Sequence, residues 1–482
     1  MNKINKEVTA DLIAFGGYFD NDSNGKLEPA APLLSCNFYE VGEGLRTAYG
    51  GTRSFSPGSI EGTLGEVYNN NIGLSQTRGP HFHFFLWRGS RSPARKGDIP
   101  LKLTAILIFI FTYVLLLTLP RFRAQIALAS AALFVILGIM PVSQVFSAVD
   151  WNVIMMIAGT MGIVSLFIES KMPALLADLI IRRTPNVKWA IIALSLFAGV
   201  ISAFVDNVAT VLMVAPVALT ISKKLKISPV PSIIAIAVSS NLQGAATLVG
   251  DTTAIMLGGY ANLDFLDFFV LDGKPGMFWV VEAGALVSTL ILLLVFRNDN
   301  QPIHTNDKTE VKDYFPSGLM LAMVILLILA SFIPGKPAIT NGIICLSLLA
   351  LGLIRKYVKS RNFQDVIKVI ADIDFFTVAL LAGLFIVVGS ITEAGIVADI
   401  SQLFVKVSKN NVFVIYTIIL WASVLLSAFI DNIPYVATML PVVAGIANIL
   451  GIDPRVLYFG LLAGATLGGN LTPIGASANI AA

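Results

Sequence analysis

Two Asp-Asn pairs interrupt strongly apolar stretches of the sequence. One lies in ISAFVDNVATVLMVAP, residues 201–216, and the other in LSAFIDNIPYVATMLP, residues 426–441. A carboxylate at membrane depth is costly, so it usually faces a cavity, an ion or a partner side chain. Each Asp could instead cap the helix that follows it. The two roles are compatible, and finding the pair twice favours ion binding.

Two Gly- and Thr-rich interruptions, in residues 244–255 and 469–480, form a second pair of candidates. Such runs disfavour a continuous helix, and an unwound stretch exposes carbonyls to a cation and a half-helix N-terminus to an anion. Close packing through small residues is the alternative. The candidate ion- or substrate-binding residues are Ser202, Asp206, Asn207, Thr247, Gly250, Asp251, Thr252, Ser427, Asp431, Asn432, Thr472, Gly475, Ser477 and Asn479.

These segments recur at a constant spacing. The position numbers of the two Asp-Asn pairs differ by 431 − 206 = 225, and GAATLVGDTTAI matches GNLTPIGASANI with the same difference, 469 − 244. Two further acidic pairs, Asp150 with Asp374 and Glu169 with Glu393, recur at a spacing of 374 − 150 = 224. We interpret the two Asp residues as helix caps and the two Glu residues as solvated helix ends. Three segments in register indicate an internal repeat.

The composition places these repeats in a membrane. Of the 482 residues, 56% are hydrophobic and 13% are charged, whereas about a quarter are charged in soluble domains. From Leu101 onward, apolar runs of about 17 to 20 residues recur, which is the length that crosses a bilayer core. We therefore predict an all-α polytopic membrane protein. The sequence carries no ATP-binding loop and no nucleophile–base or metal cluster that would favour an enzyme, and we expect no cofactor and no nucleic-acid partner.

The distribution of basic residues predicts the topology. With loop 170–187 in the cytoplasm and each Asp-Asn segment at the tip of a re-entrant hairpin, most Lys and Arg residues fall on the cytoplasmic side. The outer side then holds Lys274, Lys336, Lys406, Lys409 and Arg455. Each repeat has an odd number of crossings, so the second is inverted relative to the first, as in many secondary transporters.

The chain divides into four predicted regions. Residues 1–99 form a polar extension, in which an incomplete calcium-loop pattern at 20–31 and a His pair at 81–83 are weak metal candidates. Membrane repeat 1 spans 100–297, a cytoplasmic linker spans 298–315, and repeat 2 spans 316–482. We expect repeat 2 to be C-terminally truncated.

The paired motifs SAFVDNVATVLMVAPV and SAFIDNIPYVATMLPV, with ATLVGD and TPIGASANI, resemble the ion transporter superfamily. The similar branch holds ArsB arsenite carriers, NhaD sodium/proton antiporters, the P protein and citrate-type permeases of the SLC13 type. The resemblance implies an elevator-type homodimer with a scaffold and a moving transport domain. It also implies cation sites between each hairpin tip and its facing unwound helix, with substrate between the tips.

By this resemblance, sodium could bind at Asp206 and Asn207 in the first half and at Asp431 and Asn432 in the second. The other implied ligands are Thr247, Gly250 and Asp251 for the first site, and Thr472, Gly475 and Asn479 for the second. The tips depart from related symporters by carrying Asp where those carry Ser. This difference favours coupling to a cation or proton, and it weakens the interpretation that the substrate is a dicarboxylate.

Three functions remain open on the sequence alone. The first is a secondary active carrier of an inorganic or carboxylate anion in the inner cell membrane, driven by sodium or protons. The second is a sodium/proton antiporter without an organic substrate, and the third is a non-transporting membrane scaffold. Spans 188–258 and 412–482 contain no Arg to clamp a carboxylate except Arg455, near one end, so the anion carrier is preferred only slightly.

Overall fold

The structure is a computed structural model. It describes three short strands between residues 39 and 53 and the chain from 98 to 481, apart from 226, 304–308, 312 and 474. Residues 1–87 and 88–482 are separate units. In the first unit, β1 (Tyr39–Val41), β2 (Gly44–Arg46) and β3 (Thr52–Arg53) pair as an antiparallel sheet in that order. The weak metal candidates at 20–31 and 81–83 lie outside the described residues.

The second unit is helical. Its first half contains α1 (Asp98–Thr118), α2 (Arg123–Ile136), α3 (Val142–Ala148), α4 (Trp151–Glu169), α5 (Met172–Ile181), α6 (Val187–Ser202), α7 (Asn207–Leu225), α8 (Val230–Gly244), α9 (Thr252–Ala261) and α10 (Met277–Val295). Its second half contains α11 (Phe315–Ser331), α12 (Thr340–Ser360), α13 (Phe363–Ala371), α14 (Phe375–Glu393), α15 (Ile396–Val407), α16 (Val412–Ser427), α17 (Asn432–Leu450), α18 (Arg455–Gly469) and α19 (Ser477–Ala481). Single 3-10 turns lie at Pro120–Phe122 and Phe265–Phe268, and a two-stranded ribbon joins β4 (Val270–Leu271) to β5 (Lys274–Pro275).

The helix boundaries repeat with the spacing of the sequence motifs. The first residues of α6 to α9 and of α16 to α19 differ in number by 225 throughout (for example 412 − 187 and 432 − 207), and those of α4 and α14 differ by 375 − 151 = 224. In each of these groups of four helices, a non-helical segment separates the third helix from the fourth. These two breaks are residues 245–251 and 470–476. The Gly- and Thr-rich interruptions are therefore breaks between helices, as predicted. The inversion of one repeat relative to the other stays a prediction.

The two acidic residues before α4 and α14 are helix caps, as predicted. The Asp150 carboxylate accepts a hydrogen bond from the amide of Val153 at 3.1 Å, and Asp374 accepts one from the amide of Thr377 at 3.1 Å. Each cap satisfies an amide that the helix itself leaves without an acceptor. Both helices thus start at a fixed residue, which fixes the position of their apolar faces along the bundle.

In the core, helices of one half pack against helices of the other half. Helix α2 of the first half packs on α14, and α12 of the second half packs on α4. Glycines make these crossings close: a Cβ added at Gly383 would lie 2.8 Å from the carbonyl carbon of Ala127, and one added at Gly159 would lie 2.6 Å from that of Cys345. Small residues at such crossings let helix backbones approach in a membrane.

Among the described residues, seven helices are long and apolar enough to cross a membrane: α1, α4, α7, α10, α12, α14 and α17. The pair α15 and α16 adds an eighth candidate if its 118° bend lies within one span. Large apolar side chains are exposed along these helices, as on α10, where Trp279, Leu286 and Leu294 are more than half exposed. In lipid these faces have an apolar solvent. The chain is thus a multi-pass membrane protein.

Ion pairs join the loops at the helix ends. Arg355 of α12 pairs with Asp313 at 2.6 Å, and Lys356 pairs with Glu169. Elsewhere Lys336 pairs with Asp264, and Arg455 pairs with Asp272 at 2.6 Å. The predicted topology places the two members of each pair on the same side of the membrane. Which side is cytoplasmic stays a prediction.

Candidate functional site

The first Asp-Asn pair forms the tip of the hairpin made by α6 and α7. The Asp206 carboxylate accepts hydrogen bonds from the amides of Val208 at 3.0 Å and Ala209 at 3.4 Å, so it caps α7. Asp206 is partly exposed and Asn207 is buried. The Asn207 amide donates to the Asn241 side chain of α8 at 2.9 Å. Both bonds reach Oδ2, so the carboxylate keeps further acceptor capacity.

The break between α8 and α9 lies directly against this tip. The Thr247 hydroxyl donates to the carbonyl of Ala203. A Cβ at Gly250 would lie 2.6 Å from the Ser202 carbonyl oxygen and 2.8 Å from that of Ala203. These carbonyls belong to the C-terminal end of α6, where a helix leaves its last acceptors unpaired. Glycine is therefore the residue that fits, and backbone oxygens converge where the tip meets the break.

The second hairpin repeats the helix cap and the contacts with its break. Asp431 accepts from the amide of Ile433 at 3.2 Å and caps α17. The Thr472 hydroxyl donates to the carbonyl of Ala428, and a Cβ at Gly475 would lie 2.9 Å from the Ser427 carbonyl oxygen. Each of these contacts has its counterpart at the repeat spacing in the first hairpin. Each tip therefore contacts the break of its own half, and the ion sites predicted there stay predictions.

The two tips differ in charge. Arg123, the first residue of α2, places its Nη1 atom 2.8 Å from Oδ2 of Asp431, and both side chains are largely buried. The Ser477 hydroxyl donates to the same oxygen at 2.9 Å. Among the ion pairs of the described residues, none includes Asp206 or Asp251. Arg123 was not predicted as a site residue, because 308 residues separate it from Asp431 and no local pattern links them.

Side-chain amides connect the two halves between the tips. Asn241 of α8 donates to the Asn470 side chain of the second break at 3.0 Å. Asn479 donates to the carbonyls of Gly469 at 2.7 Å and Thr472 at 3.0 Å, and its own Oδ1 is buried with no partner among the described residues. Asn241 and Asn470 were not predicted, since single amides in apolar helices give no periodic signal. Through Asn241, the first tip and α8 are thus connected to the second break.

A cavity of about 570 Å³ lies between the first tip and helices α4 and α14. Six of the predicted residues line it: Asp206, Asn207, Asp251, Thr252, Asn432 and Ser477. The other eight, Ser202, Thr247, Gly250, Ser427, Asp431, Thr472, Gly475 and Asn479, lie behind this surface and support the tips and breaks. The cavity thus brings residues of both halves together at one place.

Carboxylates dominate the polar lining of this cavity. They are Glu169, Asp206, Asp251, Asp372 and Asp374, and none of the lining residues in the described part of the chain is Lys or Arg. Glu169 and Asp374 were interpreted from the sequence as structural only, because both lie at helix ends. They are also cavity residues. The described residues contain no cluster of three or more His, Cys, Asp or Glu side chains that could hold a metal ion by themselves, so a cation here would also need carbonyl, amide or water ligands.

The sequence model of the citrate transporter family CitMHS matches residues 113–464, which include both hairpins. The chain belongs to this citrate transporter family. As a member of it, the protein is a multi-pass membrane transporter.

Individual relatives agree with the family model. The chain is 31% identical over 391 residues to a Mycobacterium bovis protein named Uncharacterized transporter Mb2703, covering 79% of this chain and 89% of that protein. It is 26% identical over 467 residues to the human P protein, covering 78% of this chain and 54% of that protein. Among solved structures, the Alcanivorax borkumensis YdaH transporter is similar, with a TM-score of 0.48, 15% identity, and coverage of 78% of this chain and 87% of that one.

Proposed function

We propose that the protein is a secondary active transporter of the inner cell membrane that moves an anion of the carboxylate or inorganic class together with a coupling cation, sodium or the proton. The observation that supports this most is the pair Asp206 and Asp251. Both carboxylates line the cavity, and neither has a cationic side chain beside it in the described residues. Carboxylates at membrane depth without a cationic partner are costly, so an external cation stabilises this site.

The ligands for that cation come from the tip and the break. Asp206 supplies a carboxylate at the start of α7, and Asp251 supplies another at the start of α9. The carbonyls of Ser202 and Ala203 lie behind them, around Gly250. Oxygen ligands of this kind suit a hard cation such as sodium. A proton shared by the two carboxylates satisfies the same charge requirement.

The anion would bind where helix N-termini face the same cavity. Helices α7 and α17 both begin at an Asn that lines it, Asn207 and Asn432. The Asp206 and Asp431 caps already accept from the first amides of these helices, so the donors to the anion would be the side-chain amides of the two Asn residues. Five carboxylates and no basic side chain line the described cavity, and Lys356 pairs with one of them, Glu169, from outside the lining. An anion that enters therefore needs its charge balanced by cations. This requirement is the physical basis of coupling in the proposal.

A sodium/proton antiporter is the second candidate function. The acidic lining itself favours it, because a cavity of carboxylates can exchange sodium for protons without any anion. The two candidates differ in whether a carboxylate anion crosses with the cation. The non-transporting scaffold is set aside, because the chain belongs to a transporter family.

Flux measurements in proteoliposomes separate these candidates. Purified protein is reconstituted, and a sodium or proton gradient is imposed in the presence of citrate, succinate, arsenite or no anion. We expect gradient-driven uptake of at least one of these anions. Sodium-for-proton exchange without any anion supports the antiporter, and the absence of gradient-driven flux of every test ion contradicts both.

A further inference from the structure

The ion pair between Arg123 and Asp431 gives the second tip its own positive charge. The guanidinium is 11% exposed and the carboxylate is 4% exposed, so water screens this pair little. The Arg123 Nε atom also donates to the carbonyl of Leu116 at 3.3 Å, which fixes the side chain at the end of α1. Ser477 donates to the same carboxylate. The charge of Asp431 is therefore matched by groups of the protein itself.

The internal repeat shows what stands at the equivalent place near the first tip. Helix α2 packs on Gly383 of α14 through Ala127, and helix α12 packs on Gly159 of α4 through Cys345. Since 383 − 159 = 224 is the spacing of α4 and α14, Ala127 and Cys345 are equivalent residues. Equivalent positions in α2 and α12 therefore differ in number by 345 − 127 = 218.

The same difference makes Asn341 the equivalent of Arg123. Asn341 is 7% exposed, and its Oδ1 atom has no hydrogen-bond partner among the described residues. The two breaks also differ in charge. The first break carries the acidic residue Asp251, and the residue at the repeat spacing in the second break is the neutral Ala476. The second tip thus has a cation beside its carboxylate, whereas Asp206 and Asp251 at the first have none among the ion pairs of the described residues, and the residue equivalent to Arg123 in the repeat is a neutral amide.

We infer that Arg123 takes the place of a coupling cation at the second tip, so that only the first tip, at Asp206, binds an external cation. This inference rests on the proposed function and assigns its cation stoichiometry. A second cation next to Asp431 would be repelled by the adjacent guanidinium, and this repulsion is strong because both side chains are shielded from water. At the first tip no such repulsion opposes binding.

Thermal stability measured in detergent tests this without any transport assay. Sodium chloride replaces choline chloride at constant ionic strength, and the same series is repeated across pH. The coupling cation should stabilise wild type, and Asp206→Asn should remove that stabilisation. Arg123→Gln leaves Asp431 without its counter-ion, so it should add a second cation-dependent stabilisation. The double variant Arg123→Gln/Asp431→Asn should lose that added response. Arg121→Gln changes an exposed arginine two residues away and should behave as wild type.

The stability series varies two conditions, sodium concentration (the sodium axis) and pH (the pH axis). The charged and polar groups around Asp431 determine which result is expected on each. They are Arg123, the Ser477 hydroxyl and, within electrostatic range, Asp251. If wild type responds to sodium, the added response of Arg123→Gln should appear on the sodium axis. If wild type responds only to pH, the added response of Arg123→Gln should appear on the pH axis. A folded Arg123→Gln protein with the wild-type response on both axes overturns the inference.

Two further variants apply if Arg123→Gln does not fold. Arg123→Lys keeps the charge and should retain the wild-type cation response, while Asp431→Asn should retain it because the first tip is intact. Loss of the response in Asp431→Asn overturns the inference. In proteoliposomes, the Hill coefficient for the coupling cation should rise from about one in wild type toward about two in Arg123→Gln, and a wild-type value near two also overturns it. Absence of flux in wild type contradicts the proposed function alone, since the stability series does not depend on it.

Discussion

Single residues decide how each tip balances its charge. Asp206 and Asp431 occupy equivalent positions, and both cap the helix that follows. Only Asp431 has a guanidinium beside it among the described residues. A carboxylate that caps a helix and also faces a cavity can serve structure and ion binding with the same oxygens. The difference between the tips therefore lies in their neighbours and not in the tip motif.

Gly250 tests the close contact between the first tip and its break. Gly250→Ala places a Cβ 2.5 Å from the Gly244 carbonyl oxygen and 2.6 Å from that of Ser202. Backbone atoms cannot rotate away, so we expect a loss of about 1–3 kcal/mol in stability and a strong loss of coupled flux. Thermal unfolding in detergent and flux in proteoliposomes measure the two effects.

Gly318→Ala is the matched control for this variant. A Cβ at Gly318 of α11 meets nothing within 4 Å, and alanine favours the helix by up to about 1 kcal/mol. It should be neutral or stabilising. If Gly250→Ala were as well tolerated as Gly318→Ala, the tip and the break would not be in contact in the way described.

At the scale of elements, the crossings of α2 with α14 and α4 with α12 fix the frame around the cavity. Helices α4 and α14 supply cavity residues from Met161 to Glu169 and from Asp374 to Thr377. Each is held by a helix from the other half. The position of the cavity wall relative to the first tip thus depends on two glycine contacts, at Gly159 and Gly383.

Alanine at these glycines should loosen the frame. Gly159→Ala and Gly383→Ala each put a Cβ within 3 Å of backbone atoms of the facing helix, so we expect a loss of about 1–3 kcal/mol for each. Gly284→Ala on α10 is the control, because its Cβ would lie 3.6 Å from Leu242. Melting temperatures equal to that of Gly284→Ala in both variants would contradict the described crossings.

The ion pairs at the helix ends give a prediction for pH. Hydrogen bonds from Arg355 hold the pKa of Asp313 well below its ordinary value of 3.8. A carboxyl whose pKa is lower in the folded state stabilises the protein above its unfolded pKa, and this stabilisation is lost as the pH falls toward the folded value. Asp313→Asn should therefore lower the melting temperature at neutral pH, which corresponds to a loss of about 1 kcal/mol or less in the free energy of unfolding. The difference from wild type should shrink below about pH 4. A difference that stays constant down to low pH would exclude this role.

At the scale of the whole molecule, much of the fold was predictable from the sequence. The motif spacing predicted the repeated helices and both breaks, because a repeat in residue types reflects a repeat in structure. The Asp and Asn residues at the tips were identified because polar residues are rare in apolar runs. Arg123, Asn241, Asn341 and the cavity wall at Glu169 and Asp374 could not be assigned, since their roles depend on contacts between distant helices.

The central claim is that the first tip binds the coupling cation through Asp206. Cation-dependent flux in proteoliposomes, compared between wild type, Asp206→Asn and the control Asp365→Asn on α13, tests it most directly. Loss of one charged ligand costs about 1.5–3 kcal/mol, so the apparent cation affinity of Asp206→Asn should fall about ten- to hundredfold. Asp365→Asn should match wild type, because Asp365 pairs with Lys368 at 3.4 Å outside the cavity. Wild-type cation dependence in a folded Asp206→Asn protein would contradict the account.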